Sequence, residues 1–226
     1  MRLINDGDEQ LFHTVTLAAR LGRSGKLIST LMTAYDDQWD DPEAGFRYAL
    51  ALVAMIQAGG TDQEKRAGYT QSMEALDDVL DGDPGHWLAR YCRIRHRVLI
   101  RTGYGRYQEY LYDERGKAAE DIGELLRGQE HEPWQPYFTA ATILAAQFHA
   151  GQGDQARAAD LIRDASAGHQ GRMPYPALGT IMSEPFRILG QGDLPPPMKE
   201  LVAATMTALF PDRPAVRPAA RIAVAG

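Results

Sequence analysis

The sequence predicts an all-α fold of paired antiparallel helices, and three recurring features support this prediction. Helix starts are marked by an acidic residue followed by proline, helix ends by glycine-rich turns, and the apolar residues between them recur every three or four positions. Proline suits the first turn of a helix because its missing N–H has no helical partner there. Glycine adopts the left-handed conformation that ends a helix. No segment shows sustained alternation of apolar and polar residues with enrichment in β-branched residues, so we predict no sheet.

A first helix pair is predicted within residues 1–40, where two apolar stripes are separated by a glycine-containing turn at residues 22–25. Residues at helical spacing define each stripe. The stripes consist of Leu11, Phe12, Val15 and Ala18 in the first helix and of Leu27, Ile28, Leu31, Met32 and Tyr35 in the second.

Residues 41–170 are predicted to hold three helix–turn–helix units. Each unit begins with a proline and an aromatic-rich helix, and each first helix ends at a glycine turn. The prolines are Pro42, Pro84 and Pro133, and the turns lie at residues 58–62, 102–105 and 150–154. Second helices are predicted over about 63–80, 106–126 and 155–165. Thr61 or Asp62, and Asp154, are the expected N-caps.

Prolines interrupt this pattern in the last part of the chain. Two short capping helices are predicted within residues 171–210, near 177–189 and 197–209. Residues 211–226 contain three prolines and little apolar material, so we predict a flexible tail there.

The third unit resembles the tetratricopeptide repeat. That family places a small residue in the second helix, a bulky apolar residue four positions later and a small residue three positions after that. Ala158, Ile162 and Ala165 fit these positions, and Ala146 fits the small position where the two helices cross. The resemblance is clearest over residues 140–166.

Two positions depart from the family pattern: His149 stands at the aromatic position of the first helix, and Gln170 at the terminal proline. The resemblance nevertheless implies a right-handed superhelix of about three to four helix pairs with a C-terminal capping helix. It also implies that the first helices line a concave, peptide-binding surface.

Composition narrows the classes of function. The 226 residues carry a formal net charge of −6, so we do not expect a nucleic-acid partner. The N-terminus carries acidic residues where a signal peptide needs an apolar core, and no apolar run is long enough for a bilayer. We therefore expect a cytoplasmic protein with no membrane partner.

Cysteine and histidine usage predicts no metal site and no cofactor. Cys92 is the single cysteine, which excludes an intrachain disulfide and a cysteine-based zinc site. We interpret Cys92 as a buried residue, although His96 lies one helical turn away and a nucleophilic pair is the alternative. The acidic cluster at residues 36–43 lacks the glycine-containing calcium loop, so we interpret it as a polar loop with a helix cap before Pro42.

Arginines in the first helix of the second unit form the most informative pattern. Their spacing of three and four residues places them on one face, beside an apolar stripe of aromatic and aliphatic residues. One interpretation is a solvated face paired with acidic residues of neighbouring helices. The other is a clamp for a carboxylate or phosphate, which arginine binds with two parallel hydrogen bonds. The predicted binding residues are Arg90, Arg93, Arg97 and Arg101, supported by Trp87, Tyr91 and Tyr107.

Together these patterns favour a non-catalytic adaptor or scaffold that docks an acidic segment of a protein or peptide partner in a helical-repeat groove. A helical enzyme or small-molecule sensor, with a pocket inside the superhelix, is the alternative. A homo-oligomer is a third interpretation, in which the partner is a second copy of the chain.

Overall fold

The computed structural model describes residues 4–59, 61–103, 114–128, 135–168 and 171–211. Within these ranges it contains ten α-helices and no β-strand, which confirms the predicted all-α class. The helices are α1 (Asp6–Arg20), α2 (Gly25–Asp37), α3 (Pro42–Ala58), α4 (Asp62–Gly82), α5 (Trp87–Gly103), α6 (Glu114–Gly128), α7 (Gln135–Gly151), α8 (Gln155–Gly168), α9 (Gly179–Gln191) and α10 (Pro196–Leu209). No helix of the described segments is long and apolar enough to cross a membrane.

The first compact unit, Met1–Leu125, is organised around α3. Helices α1, α2 and α4 all pack against α3, whose residues 48–54 are buried without interruption. Helix α1 contributes Phe12 and Val15 to this core, as its predicted stripe requires. Helix α2 forms as predicted but buries none of its residues. The apolar stripe of α2 is therefore only partly covered within this unit.

The predicted N-caps are present. Asp41 accepts a hydrogen bond from the Glu43 N–H at 3.0 Å, immediately before Pro42 at the start of α3. Thr61 and Glu64 form a reciprocal capping box at the start of α4. Asp154 accepts a hydrogen bond from the Arg157 N–H at 3.0 Å at the start of α8. These helix starts were predictable because capping depends on residues only two or three positions apart.

The second predicted unit starts later than the sequence suggested. Helix α5 begins at Trp87, not at Pro84, because residues 83–86 form a turn. Asp83 accepts a hydrogen bond from the Gly85 N–H at 3.0 Å, and His86 Nδ1 accepts one from the Ala89 N–H at 3.2 Å. The His86 ring thus takes the N-cap role for α5. The predicted helix start near 106 and the proline-marked start at 133 lie outside the described residues.

The second compact unit, Leu126–Gly226, contains α7 to α10. Helix α7 packs against α8 and α9, and α10 packs against the same two helices. The four residues that carry the tetratricopeptide resemblance are all buried: Ala146, Ala158, Ile162 and Ala165. Helices α9 and α10 match the two predicted capping helices. The predicted flexible tail, apart from Pro211, lies outside the described residues.

Candidate functional site

Three arginines of α5 converge on one carboxylate of α6. Arg90 Nη1 lies 2.7 Å from Asp121 Oδ1, and Arg97 Nη1 lies 2.6 Å from Asp121 Oδ2. Arg93 binds both oxygens, through Nη2 at 2.6 Å and Nε at 2.8 Å. The predicted spacing places the three arginines on one helical face, and Asp121 lies opposite that face. Asp121 therefore accepts four charge-assisted hydrogen bonds, the strong class of protein hydrogen bond.

A second carboxylate, Asp77 of α4, completes this group of charges. Arg93 Nη1 lies 2.7 Å from Asp77 Oδ1, and Arg97 Nη2 lies 4.0 Å from the same atom. The side chain of Asp121 is 4% exposed, whereas that of Asp77 is 47% exposed. We call these five residues (Arg90, Arg93, Arg97, Asp77 and Asp121) the arginine cluster. It has a buried anion at its centre and a solvent-accessible anion at its edge.

The electrostatics of the cluster favour permanently charged arginines. Burial by itself lowers the pKa of Arg93, but hydrogen bonds and charge interactions with Asp121 and Asp77 outweigh it, so the pKa is raised above its usual value. Among the described contacts, three guanidinium groups face two carboxylates. Because arginine does not release its proton near neutral pH, the guanidinium groups can hold an anion but cannot act as general bases.

No protein family model, curated protein or solved structure matches this chain. What the site can do therefore follows from its own groups and their surroundings. Those groups are suited to electrostatic binding and to joining helices, because they combine fixed charge with planar hydrogen-bond geometry.

The predicted site residues occupy different environments. Trp87 and Tyr91 are buried, with their rings stacked at a centroid distance of 5.3 Å, so they take the core side of α5. Arg90 and Arg93 are each 14% exposed at the side chain, and Arg97 is 3% exposed. The side chain of Arg101 and the whole of Tyr107 lie outside the described residues. Partner binding by these residues stays a prediction.

Sequence reasoning did not identify Asp121 and Asp77 as the partners of the arginines. A signal was present for Asp121, because it shares the apolar face of α6 with Ala118, Ile122 and Leu125, all of which are buried. A lone carboxylate on such a face requires a cationic partner, since a buried charge without one is costly. Asp77 gave no comparable signal because it is one of several aspartates near the end of α4.

The thiol and imidazole that we had considered as a nucleophilic pair are both buried. Burial raises the pKa of the Cys92 thiol to about 12, which disfavours the reactive thiolate. Burial and the nearby positive charge of Arg95 lower the pKa of His96 to about 3. His96 Nε2 lies 3.1 Å from the hydroxyl of Ser72, which is also buried. These groups therefore form part of the core.

Proposed function

We propose that this chain is a non-catalytic protein-binding module, an adaptor or scaffold that docks a protein or peptide on its helical pairs. The supporting observation is uncovered apolar surface on the first pair. Leu17 is 52% exposed, Leu21 is 60% exposed and Met32 is 38% exposed. Large apolar side chains that recur on one exposed element are typical of interaction surfaces, and methionine is enriched in them.

The packing of α2 strengthens this proposal. Leu27, Ile28 and Leu31 of its apolar stripe are only partly buried. By contrast, α3, the helix it packs against, is buried over most of its length. A helix with an apolar face that is half covered gains stability when a partner removes the rest of that face from water, at about 25 cal/mol per Å².

A tetratricopeptide-like superhelix is the arrangement that we propose for the helical pairs. The buried small residues of α7 and α8 support it, because they let two helix backbones approach closely. In such an arrangement, the first helices of the pairs line a concave surface that accepts an extended or helical peptide.

We also propose that the docked segment of the partner is acidic, and the exposure of Asp77 supports this proposal. Asp121 is enclosed, but Asp77 is about half exposed and lies at the edge beside Arg93. A carboxylate from a partner can replace Asp77 on Arg93 without displacing the buried anion. The planar guanidinium group binds such a carboxylate with charge-assisted hydrogen bonds.

Paired charge substitutions test the protein-binding proposal. We expect Leu17→Glu with Leu21→Glu to abolish capture of partner proteins from a cell extract, because two charges would enter a desolvated interface. The matched control is His13→Glu with Thr14→Glu, which places the same charges on exposed polar positions of α1. Both variants should keep the wild-type melting temperature. Equal capture by all three proteins would contradict the proposal, and light scattering will show whether the captured partner is a second copy.

A further inference from the structure

A pocket of about 340 Å³ lies where α2 ends, α3 begins and α4 ends. Its walls include two aromatic side chains, Tyr35 and Trp39, and four aspartates. The aspartates are Asp40, Asp41, Asp78 and Asp81. It belongs entirely to the first compact unit and does not include the arginine cluster.

One of the two aromatic side chains that line the pocket, Trp39, is highly exposed to solvent. Trp39 is 76% exposed, the largest value among the exposed large apolar residues of the described chain. Tyr35 is held in place, because its hydroxyl donates a hydrogen bond to Asp78 and its ring stacks on Tyr48 with a centroid distance of 5.6 Å. An indole face open to solvent attracts cations through its quadrupole, more strongly than tyrosine or phenylalanine does.

Two of the four carboxylates are available to a ligand. Asp41 is occupied as the N-cap of α3, and Asp78 accepts the Tyr35 hydroxyl. Asp40 and Asp81 have no hydrogen-bond or ion-pair partner among the described residues. In addition, neither α2 nor α4 has a basic residue in its last turn, so the negative ends of both helix dipoles are uncompensated here.

The shape of the pocket favours a molecular cation over a metal ion. Within the described parts of the chain, no group of three or more histidine, cysteine, aspartate or glutamate side chains could hold a metal ion. The carboxylates are thus spread around a space large enough for an extended group. A delocalised cation can face an indole and reach separate carboxylates at the same time.

We propose that this pocket binds an organic cation, an alkylammonium or guanidinium group, between Trp39 and the carboxylates of Asp40 and Asp81. Two sources share this chemistry: a free small amine, and a lysine or arginine side chain of a docked partner. The second source rests on the proposed function, whereas binding of the free cation does not.

Titration of the full chain with N-acetyl-arginine amide and with tetramethylammonium chloride tests the proposal. The side-chain indole N–H signal of Trp39, assigned with Trp39→Leu, should move in a saturable way in the nitrogen–proton NMR spectrum. Sodium chloride at equal ionic strength should not move it. A five-residue glycine peptide with a central arginine distinguishes the sources, because tighter binding of the peptide than of the free amide indicates a side chain presented by a partner.

Variants test the role of the two carboxylates. Asp40→Asn with Asp81→Asn should weaken binding of the arginine amide by about fivefold or more, as expected from losing roughly 1 kcal/mol of interaction. The matched control is Asp36→Asn with Asp37→Asn, which removes equal charge from the end of α2 beside the pocket without changing a lining residue. That control should change the affinity less than about twofold.

Two results would overturn the proposal: a sodium chloride response equal to that of the organic cations, or equal weakening in the two double variants. All substituted positions of both variants are exposed, so the spectra of both should show the wild-type fold. The Leu17 and Leu21 variants leave this pocket intact. Loss of partner capture in those variants, with cation binding retained, separates the two proposals.

Discussion

At the scale of single residues, Asp121 is the buried anion that neutralises guanidinium groups from three arginines at once. We expect Asp121→Asn to lower the free energy of unfolding by about 3–5 kcal/mol, since it leaves buried cations without their anion. Urea denaturation measures this loss. Asp77→Asn is the control and should cost only about 0–1 kcal/mol, because the Asp77 side chain is 47% exposed. Equal losses in the two variants would show that Asp121 is not the central anion.

The lowered pKa of the buried His96 predicts that the stability of the chain depends on pH. Its pKa in the folded chain is about 3, below the ordinary value of 6.5, because burial and the charge of Arg95 disfavour the protonated ring. Between these values the unfolded chain binds a proton that the folded chain does not bind. The contribution of His96 to the free energy of unfolding is therefore fully present above pH 6.5. It falls as the pH decreases, by up to about 1.4 kcal/mol per pH unit.

Denaturation at several pH values between 4 and 7 tests this dependence through the slope of unfolding free energy against pH. We expect His96→Gln to have a shallower slope than the wild type, because it removes the proton uptake on unfolding. The matched control is the same substitution at His13, an exposed histidine of α1, which should keep the wild-type slope. An unchanged slope in His96→Gln would mean that other groups cause the acid sensitivity.

At the scale of helices, α3 and α4 approach closely where α4 ends beside the start of α3. A Cβ atom at Gly82 would lie 2.9 Å from Cγ of Pro42, whose ring cannot rotate away. We expect Gly82→Ala to destabilise the chain by about 1–3 kcal/mol through this clash. Thermal unfolding of the variant measures the effect.

The control for this prediction is Gly123→Ala in α6. A Cβ atom there would meet nothing within 4 Å, so alanine should stabilise the helix by up to about 1 kcal/mol. Opposite signs for the two substitutions would confirm that the close approach, and not glycine flexibility alone, determines the cost at Gly82. Destabilisation of similar size in both variants would contradict it.

At the scale of the whole molecule, the buried charges of the described residues balance. The fully buried arginines are Arg95 and Arg97, and the fully buried carboxylates are Asp8 and Asp121. Burial in the described chain therefore does not offset the formal net charge of −6, and a field of that sign attracts cationic ligands.

The sequence by itself determined the helices and most of their ends. Pro42, Thr61 and Asp154 were correctly placed because caps act over two to four residues, and apolar spacing identifies a helix face without knowledge of its neighbours. Helix α5 begins three residues after Pro84, because residues 83–86 form a turn and the His86 ring accepts the Ala89 N–H.

Only the tertiary structure determined which residues each helix face contacts. The spacing of Arg93 and Arg97 predicted a shared face, but their partner Asp121 lies 28 and 24 residues further along the chain. The α2 stripe likewise predicted a helix but not its incomplete covering, and nothing local predicted that Trp39 would stand exposed beside unpaired carboxylates. Helical periodicity specifies on which face of its own helix a side chain lies. Whether that side chain is buried or paired with a charge depends on which distant helix packs against that face.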